Sequence, residues 1–486
     1  MTDRREAILA NAKYLRNVRP IDPEEICGYV EGGEHPGVVR QILRESAGQL
    51  GLIEREDGTF VPVSDDPVSP LSSPVERLPE RYERRLEDAL VERYGPGWQT
   101  GVSGELLRST TDRIKARYFA GDPVTYDEDA AAAYAIYHLP GYFAAVQYAL
   151  SDLAAERLLD RHLRVLDVGA GVGGPALGLC EFLPDDALVE YHAVEPSAAA
   201  DLFEALCEET GRNVHTHVHR TTAEAFDLEE AVTERGPFDL VLFGNVLSEL
   251  TDPEAVLRRY FGAIEDDGTV LAVAPADKAT SIQLRSLERA VEDESVERQP
   301  AADGRTTVTV YGPTVRLWPG EHPTDRGWSF DVRPSLAVPP FQRKLAEGAA
   351  DTEPETYVNV DVQFSYTIFR LDGRRRIDLE LDPSRWAKMA EMDRHVTKRV
   401  DLVAAKLSHS LSDDPDANPL FKVSDGSESV DHYAVVTAET ALNRPLAEAA
   451  YGAVLALENV LVLWNDDESA YNLVVDEETV VDPVAP

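Results

Sequence analysis

The sequence predicts an α/β protein whose centre is a doubly wound parallel sheet, with a small helical module before it and a β-rich module after it. Apolar strand candidates alternate with helical segments through residues 163–275, which is the pattern of a parallel sheet with crossover helices. A glycine-rich turn, Gly169–Gly174, follows the first of these strands. Short strands with turn signals fill the segment after residue 415.

The length of the chain limits the number of domains, and its charge indicates the environment in which it folds. The 486 residues allow two to four domains, and 88 acidic against 47 basic residues give a net charge of -41. Only 8 of the basic residues are lysine, and the acids are spread along the whole chain. Such a surface resembles the proteins of salt-loving archaea, because carboxylates keep it hydrated while molar salt screens their repulsion. A merely acidic mesophilic protein is the alternative.

The cysteines and the first residues predict a compartment. Cys27, Cys180 and Cys207 form neither a CxxC pair nor a disulfide framework, which fits a reducing cytoplasm. No apolar leader follows the first residues, and no run of 18 apolar residues occurs. We therefore expect a soluble cytoplasmic protein without a membrane segment.

Residues 1–64 predict a winged-helix-like module. Three helices are expected at Arg4–Leu15, Glu24–Val30 and Pro36–Gly51, before a hairpin with an Asp-Gly turn within residues 52–63. The third helix of such a module can contact nucleic acid, and Arg40 and Arg44 would serve there. The basic footprint is weak, however, so a protein-contact or packing module is the favoured alternative.

A Pro/Ser-rich linker at residues 64–75 leads to a predicted helical lid or linker, residues 75–160. Its aromatic centre is Tyr134–Phe143. Core packing explains such a stripe at least as well as a ligand contact.

The predicted core, residues 161–375, carries the strongest chemical signal. The strand candidate Arg164–Asp167 runs into Gly169, Gly171, Gly173 and Gly174, and a helix begins there. Glycines allow a ligand close to the backbone, and a helix N-terminus presents free N–H groups. The spacing alone also satisfies the dinucleotide fingerprint.

Two further features resemble class I S-adenosylmethionine-dependent methyltransferases. Asp167 lies two residues before the first glycine, where that class places an acid near the methionine end of the cofactor. Phe238–Leu250 resembles the fourth strand of that class and the turn beside the methyl group. Glu195 ends the second strand, where an acid accepts hydrogen bonds from the ribose hydroxyls. S-adenosyl-L-methionine is thus the predicted cofactor, with this binding set: Asp167, Gly169, Gly171, Gly173, Glu195 and Asn245.

Catalytic residues are less well defined by the sequence. The Asp/Asn-Pro-Pro-aromatic motif of base N-methylation is absent, since the position reads Asn245-Val246-Leu247-Ser248. Cys180 and Cys207 lie on the wrong elements for cytosine C5 chemistry. Asn245 and Glu249 remain as candidates that would face a substrate.

Three histidines, His215, His217 and His219, alternate along one predicted strand and so share a face. They could bind a metal ion. No cysteine or close acid is expected to complete the set, and the strand should lie near the sheet edge, so we predict no metal site and favour a half-exposed polar face.

The remaining segments are predicted to be β-structure. Strands at 306–317 and 357–370, with a hairpin at Leu371–Gly373, would extend the core as an antiparallel pair. Residues 415–486 predict a five-stranded OB-like barrel, in which Tyr433, Trp464 and Tyr471 are candidate stacking platforms for single-stranded nucleic acid. Core packing is the favoured alternative for at least two of these three.

Over about residues 110–375 the chain resembles the methyltransferase-like assembly factors of the mitochondrial small ribosomal subunit and their bacterial and archaeal relatives. The resemblance rests on five segments of this sequence: Ala133–Pro140, Asp167–Gly171, Glu195–Ser197, Asn245–Leu250 and Gln363–Thr367. It implies ribosomal RNA or the small subunit as the partner, with either methyl transfer or a non-catalytic assembly role.

The chain departs from that family in one respect. The family carries a cysteine cluster suited to an iron–sulfur centre, whereas Leu317–Phe330 contains no cysteine and keeps only His322 and Trp328 as counterparts. An iron–sulfur cluster with thiolate ligands is therefore not expected here.

Overall fold

The computed structural model describes most of the chain, namely residues 2–30, 33–293, 295–296, 306–349, 354–412, 414 and 416–484. The chain divides into two compact units, residues 1–244 with 334–362 and residues 245–333 with 363–486. The predicted core, 161–375, is thus shared between the two units.

The first module has the predicted element order. Its elements are α1 (Thr2–Leu15), α2 (Pro23–Tyr29), α3 (Pro36–Glu45), α4 (Ala47–Leu50), β1 (Leu52–Glu54) and β2 (Phe60–Pro62). The predicted third helix is interrupted at Ser46, and Gly51 ends α4 with a left-handed φ of 60°. The helices and the antiparallel hairpin enclose an apolar core around Ile8, Leu43 and Phe60. The winged-helix label stays a prediction.

The two arginines expected to face nucleic acid are paired inside this module. Arg44 donates two hydrogen bonds, of 2.5 and 3.0 Å, to the buried carboxylate of Glu54, and Arg40 lies 3.6 Å from the same group. The favoured packing interpretation of α3 agrees with this pairing.

The segment predicted as a helical lid consists of three helices, α5 (Glu80–Tyr94), α6 (Gly101–Ala120) and α7 (Glu128–Ala155). The side chain of Asp127 caps α7 by accepting a hydrogen bond from the Ala130 amide. Most of the α7 side chains are buried, and the many alanines allow close helix packing.

Strands and helices then alternate as predicted: β3 (His162–Val168), α8 (Gly174–Phe182), β4 (Leu188–Val194), α9 (Ala199–Cys207), β5 (Val214–His219), α10 (Leu228–Arg235) and β6 (Phe238–Gly244). The four strands are parallel in the order β6–β3–β4–β5. β3 is central and buried from Leu163 onward, whereas β5 ends this row and is half-buried. The predicted edge position of the histidine strand is confirmed.

The next elements complete the core region. They are α11 (Pro253–Phe261), β7 (Ile264–Pro275), α12 (Lys278–Val291), β8 (Ser295–Val296), β9 (Thr306–Thr307), β10 (Thr309–Gly312), β11 (Asp331–Arg333), α13 (Pro340–Glu347) and β12 (Val362–Arg370). β12 pairs antiparallel with β7 and with β10, so the predicted antiparallel extension is present in the second unit.

The hairpin predicted at Leu371–Gly373 is wrong. Asp372 forms an ion pair with Arg370, and no strand follows within residues 374–398. Instead, the Arg376 amide donates to the Tyr311 carbonyl and the Leu381 amide to the Leu317 carbonyl, so the chain runs along other segments of the second unit.

The C-terminal β-module contains β13 (Arg399–Lys406), β14 (Leu420–Ser424), β15 (His432–Val436), α14 (Pro445–Glu448), β16 (Val454–Asn465), β17 (Ala470–Val475) and β18 (Val480–Pro483). The order β13–β14–β15–β17–β16, with a β13–β16 pairing, closes a five-stranded barrel, and β18 pairs with β16. β13 was missed because Arg399, Asp401 and Lys406 interrupt its apolar pattern. The barrel thus begins before the predicted residue 415, and the OB-like label stays a prediction.

The three proposed stacking aromatics differ in exposure. Tyr433 and Tyr471 are half-buried, and Trp464 is 39 % exposed. Tyr471 lies between His432 and Trp464, with ring centroids 4.9 and 4.8 Å away. Within the described residues, no helix combines the length and apolar character that a membrane crossing needs.

Candidate cofactor site

The first feature of the site is the carboxylate of Asp167, near the end of β3. It is fully buried, and its Oδ2 accepts a 2.8 Å hydrogen bond from the Tyr191 hydroxyl on β4. Its Oδ1 has no hydrogen-bond partner among the described residues. Burial raises the pKa of Asp167 to about 7, and the Tyr191 hydrogen bond only partly opposes this. A buried carboxyl oxygen without a partner is a position where a ligand can bind.

The glycine loop follows directly and is bent toward the end of β4. Gly169, Gly171 and Gly173 have φ values of 71°, 54° and 90°, a region that other residues rarely adopt. The amides of Gly169 and Ala170 donate to the Val194 carbonyl at 2.9 and 3.2 Å. A Cβ added at Gly171 would meet no atom closer than the Gly169 carbonyl at 4.0 Å, so one side of the loop is open.

The carboxylate of Glu195 connects this loop to the turn after β4. Its Oε2 accepts from the Gly171 amide at 2.9 Å, and its Oε1 accepts from the Ser197 amide at 2.8 Å. Only 7 % of the residue is exposed. Glu195, the acid predicted to bind the ribose hydroxyls, is therefore already held in place beside the glycine loop by two backbone N–H groups.

Helix α7 packs directly over the start of α8. A Cβ at Gly174 would lie 3.1 Å from the Cβ of Tyr142, and one at Gly178 would lie 2.4 Å from the Phe143 carbonyl. Only glycine therefore permits this approach at Gly178. From the sequence, Gly174 was predicted only as part of the loop, and its packing against α7 was missed.

An aromatic stripe of α7 lies beside the same loop. His138 stacks on Tyr142 with a 5.3 Å centroid distance, and Tyr134 lies 4.6 Å from His138. Tyr126 packs edge-on against Tyr134 at 5.3 Å, and its carbonyl accepts from the Ala198 amide at 3.3 Å. Burial, helped by the Lys115 charge, lowers the pKa of His138 to about 3, so this ring is neutral at physiological pH.

The residues of the first unit fit the predicted cofactor. Asp167, Gly169, Gly171, Gly173 and Glu195 come together at the ends of β3 and β4. Asp167 offers an unpartnered oxygen, Gly171 an open backbone, and Glu195 an ordered carboxylate. Tyr191 was not predicted from the sequence as a partner of Asp167, because the contact depends on the β3–β4 register, which pairs Val165 with Tyr191.

Asn245 belongs to the second unit and is unusual on its own. Its φ is 62°, its amide donates to the Val273 carbonyl at 2.8 Å, and both polar atoms of its buried side chain lack a partner among the described residues. Strained backbone and an unpartnered amide are typical of functional positions. Glu249 ends a short 3-10 helix and is exposed. The predicted role of Asn245 in cofactor binding, and the roles of both residues in substrate contact, stay predictions.

The segment where the resembling family carries its cysteines is held by tryptophans here. Trp318 donates from its indole nitrogen to Asp425 at 2.7 Å, and Trp328 donates to the Ala276 carbonyl at 2.7 Å. His322 is 78 % exposed and lies 3.1 Å from Asp293. The three cysteines of the chain are free thiols, and no cluster of them is evident within the described residues.

Comparison with protein families identifies a methyltransferase domain at residues 166–270. Two segments outside it match the N-terminal domain (residues 5–56) and the C-terminal domain (residues 390–484) of a family described as a domain of unknown function, DUF8157. The chain therefore contains a methyltransferase domain of the class I fold, and its second unit ends in a five-stranded barrel. S-adenosylmethionine as cofactor is consistent with this match.

The solved structures similar to this chain include three with low identity. A presumed RNA methyltransferase from Pyrococcus horikoshii is 16% identical, with 46% of this chain and 84% of that chain covered and a TM-score of 0.26. The magnesium protoporphyrin IX methyltransferase of Synechocystis is 16% identical, with 37% and 73% covered and a TM-score of 0.23. Aeropyrum pernix fibrillarin is 17% identical, with 25% and 48% covered and a TM-score of 0.20. A search of curated proteins finds no match.

Proposed function

We propose that this protein uses S-adenosylmethionine to methylate RNA of the small ribosomal subunit, in the cytoplasm of a salt-adapted cell. The observation that carries the methyltransferase part is the unpartnered Oδ1 of Asp167 beside the open glycine loop and the ordered Glu195. The bound cofactor would supply a methyl group on a sulfonium. Asp167 would bind its cationic end, and Glu195 would accept hydrogen bonds from the ribose hydroxyls.

The RNA part rests on two further observations. The segments that resemble ribosomal assembly factors include Ala133–Pro140 on α7, the helix that packs over the glycine loop. The barrel presents the partly exposed Trp464–Tyr471 pair, a surface on which bases could stack. A net charge of -41 disfavours binding through phosphates, so stacking would supply most of the affinity, above all in molar salt.

A non-catalytic assembly factor on the same scaffold is the second candidate. It is favoured by the sequence Asn245–Ser248, which lacks the motif of base N-methylation. On this alternative the cofactor, or its empty site, would regulate RNA or subunit binding without methyl transfer.

Methyl transfer itself separates the two candidates. Small subunits from a strain lacking this gene would be incubated with the protein and S-adenosylmethionine labelled in the methyl group, in molar potassium chloride. We expect label in the ribosomal RNA, lost with Asp167→Ala or Glu195→Ala and kept with Glu234→Gln, which changes an exposed acid of α10. Cofactor binding without labelled RNA would reject the enzyme and favour the assembly factor.

A further inference from the structure

A row of histidines and one acid lies on neighbouring strands β4 and β5. In the parallel register Glu190 is opposite His215, His192 is opposite His217, and Val194 is opposite His219. Side chains two residues apart on a strand share a face, and directly paired residues project to the same face. The sheet therefore collects Glu190, His192 and the three β5 histidines on one side.

The polar atoms of three of these residues lie close together. Glu190, His192 and His217 each offer one ligand atom, and these atoms lie within 4.8 Å of one another. The His192 Nε2 is 2.8 Å from Glu190 Oε1, and its Nδ1 is 3.0 Å from His219 Nε2. The prediction that no acid lies close to the histidines is thus wrong, because Glu190 comes from the neighbouring strand.

This donor set has the chemistry of a transition-metal site. Neutral imidazole nitrogens and a carboxylate are ligands of Zn²⁺ and related divalent ions, and metal–ligand distances of about 2.0–2.2 Å put adjacent donors roughly 3 Å apart. Burial, together with the charges of His192 and Arg235, lowers the pKa of His217 to about 4. Burial alone would raise the pKa of Glu190, but hydrogen bonds from His192 and Arg235 lower it to about 2. Neutral imidazoles and an ionised carboxylate are the forms of these groups that bind such ions.

We propose that Glu190, His192 and His217 form a binding site for a borderline divalent cation of the zinc class, separate from the cofactor site. His192 binds through Nε2, and its proton moves to Nδ1, from which it is donated to the Nε2 of His219. His219 thereby fixes the ring orientation, as the outer partners of metal-bound histidines do. No net proton is released, because both rings only change tautomer: His219, whose Nε2–H donates to the His192 Nδ1 without metal, carries its proton on Nδ1 once its Nε2 accepts.

A nearby arginine competes with the cation for the acid. Arg235 donates to Glu190 Oε1 at 2.7 Å, and its side chain is 47 % exposed. Arg164 lies 3.6 Å from the same oxygen. The cation must displace Arg235 from Oε1, which its exposed side chain permits. The variant Arg235→Gln should consequently bind zinc about tenfold more tightly, since it removes one charged hydrogen bond to Glu190.

Zinc binding to the full chain tests the site. Titration would be done in molar potassium chloride with excess magnesium, which occupies carboxylate sites on the acidic surface but not histidine sites. We expect one tightly bound zinc per chain, its loss in the double variant His192→Gln/His217→Gln, and unchanged binding in His322→Gln, where an exposed histidine is replaced. Cobalt bound in place of zinc should show the visible absorption of an imidazole-ligated ion.

Two outcomes would overturn the proposal. One is stoichiometric zinc binding that survives in the double variant, and the other is its absence from the wild-type chain. If the double variant fails to fold, Arg235→Gln decides instead, because unchanged or weaker zinc affinity contradicts the role of Glu190. Zinc binding is measured without S-adenosylmethionine, so the test of the metal site stays valid even if the protein is not a methyltransferase.

Discussion

Two strands of the same parallel row place ionisable groups in opposite situations. β3, in the centre, holds Asp167 fully buried, with one oxygen unpartnered and a pKa raised to about 7. β5, at the edge, holds half-buried histidines, of which His217 and His219 contact His192 on β4. Ionised Asp167 on the central strand is therefore unfavourable until a ligand binds it. On the edge strand, His217 and His219 already interact with a neighbouring side chain. We expect substitutions on the two strands to differ accordingly.

The largest expected effect is on the stability of the ligand-free protein. The pKa of Asp167 is about 7 when folded, against about 3.9 unfolded, so the folded state binds this proton more tightly. That contribution to stability is present below about pH 4 and is lost as the pH rises to about 7. Asp167→Asn should therefore raise the free energy of unfolding at pH 8 by up to about 4 kcal/mol, and change it little at pH 4. Denaturant unfolding at pH 4 and pH 8, with Glu234→Gln as control, measures these free energies. An equal change in the free energy of unfolding at the two pH values would contradict the prediction.

The second effect concerns cofactor affinity. The positively charged methionine end of S-adenosylmethionine should bind the ionised form of Asp167. The cofactor affinity should therefore rise about tenfold for each pH unit up to about pH 7, where Asp167 is ionised, and then level off. Asp167→Asn should bind weakly at every pH. Calorimetry at pH 6, 7 and 8 measures the affinity of both proteins. If the affinity of the wild-type protein does not change with pH, the ionisation of Asp167 does not contribute to cofactor binding.

A third test separates strain in the loop from contact with the ligand. Gly171 has a φ of 54° and open space around its missing Cβ, so Gly171→Ala should cost only about 1–2 kcal/mol of stability from backbone strain. Cofactor affinity should fall further than this strain explains, because the new methyl group would occupy the open side of the loop. Unfolding and calorimetry on the same variant distinguish the two. An unchanged cofactor affinity would mean that the ligand does not approach Gly171.

The smallest effect is expected at the edge. His217→Gln changes a half-buried residue on β5, and without metal it should alter the free energy of unfolding by no more than about 0.5 kcal/mol. Added zinc should raise the melting temperature of the wild-type protein and not that of this variant. A large loss of stability in metal-free buffer would show that the edge strand is not the tolerant region of this comparison.

The same contrast explains what could be predicted from the sequence. Asp167, the loop glycines and Glu195 could be predicted to lie together because a strand, a turn and a helix start keep them in a fixed local order. Glu190 and His217 lie on different strands, so only the β4–β5 register brings them together. The Tyr191 hydroxyl and the packing of α7 on Gly178 were missed for that reason too, since both depend on tertiary contacts.

Errors outside the site have similar causes. β13 was overlooked because its charged residues hide the apolar alternation, although its second half is buried in the barrel. The hairpin predicted at Leu371–Gly373 does not form, and the Asp372 carboxylate is bound by Arg370. The residues after position 373 do not form a returning strand. Their path is instead determined by tertiary hydrogen bonds from the Arg376 and Leu381 amides to other segments.

The central claim is that the ends of β3 and β4 form a cofactor site, and calorimetry with S-adenosylmethionine in molar potassium chloride tests it most directly. We predict binding at one site per chain, lost in Asp167→Ala and in Glu195→Ala, and retained in Glu234→Gln. No heat of binding from the folded wild-type protein, or equal binding in all three variants, would contradict the claim.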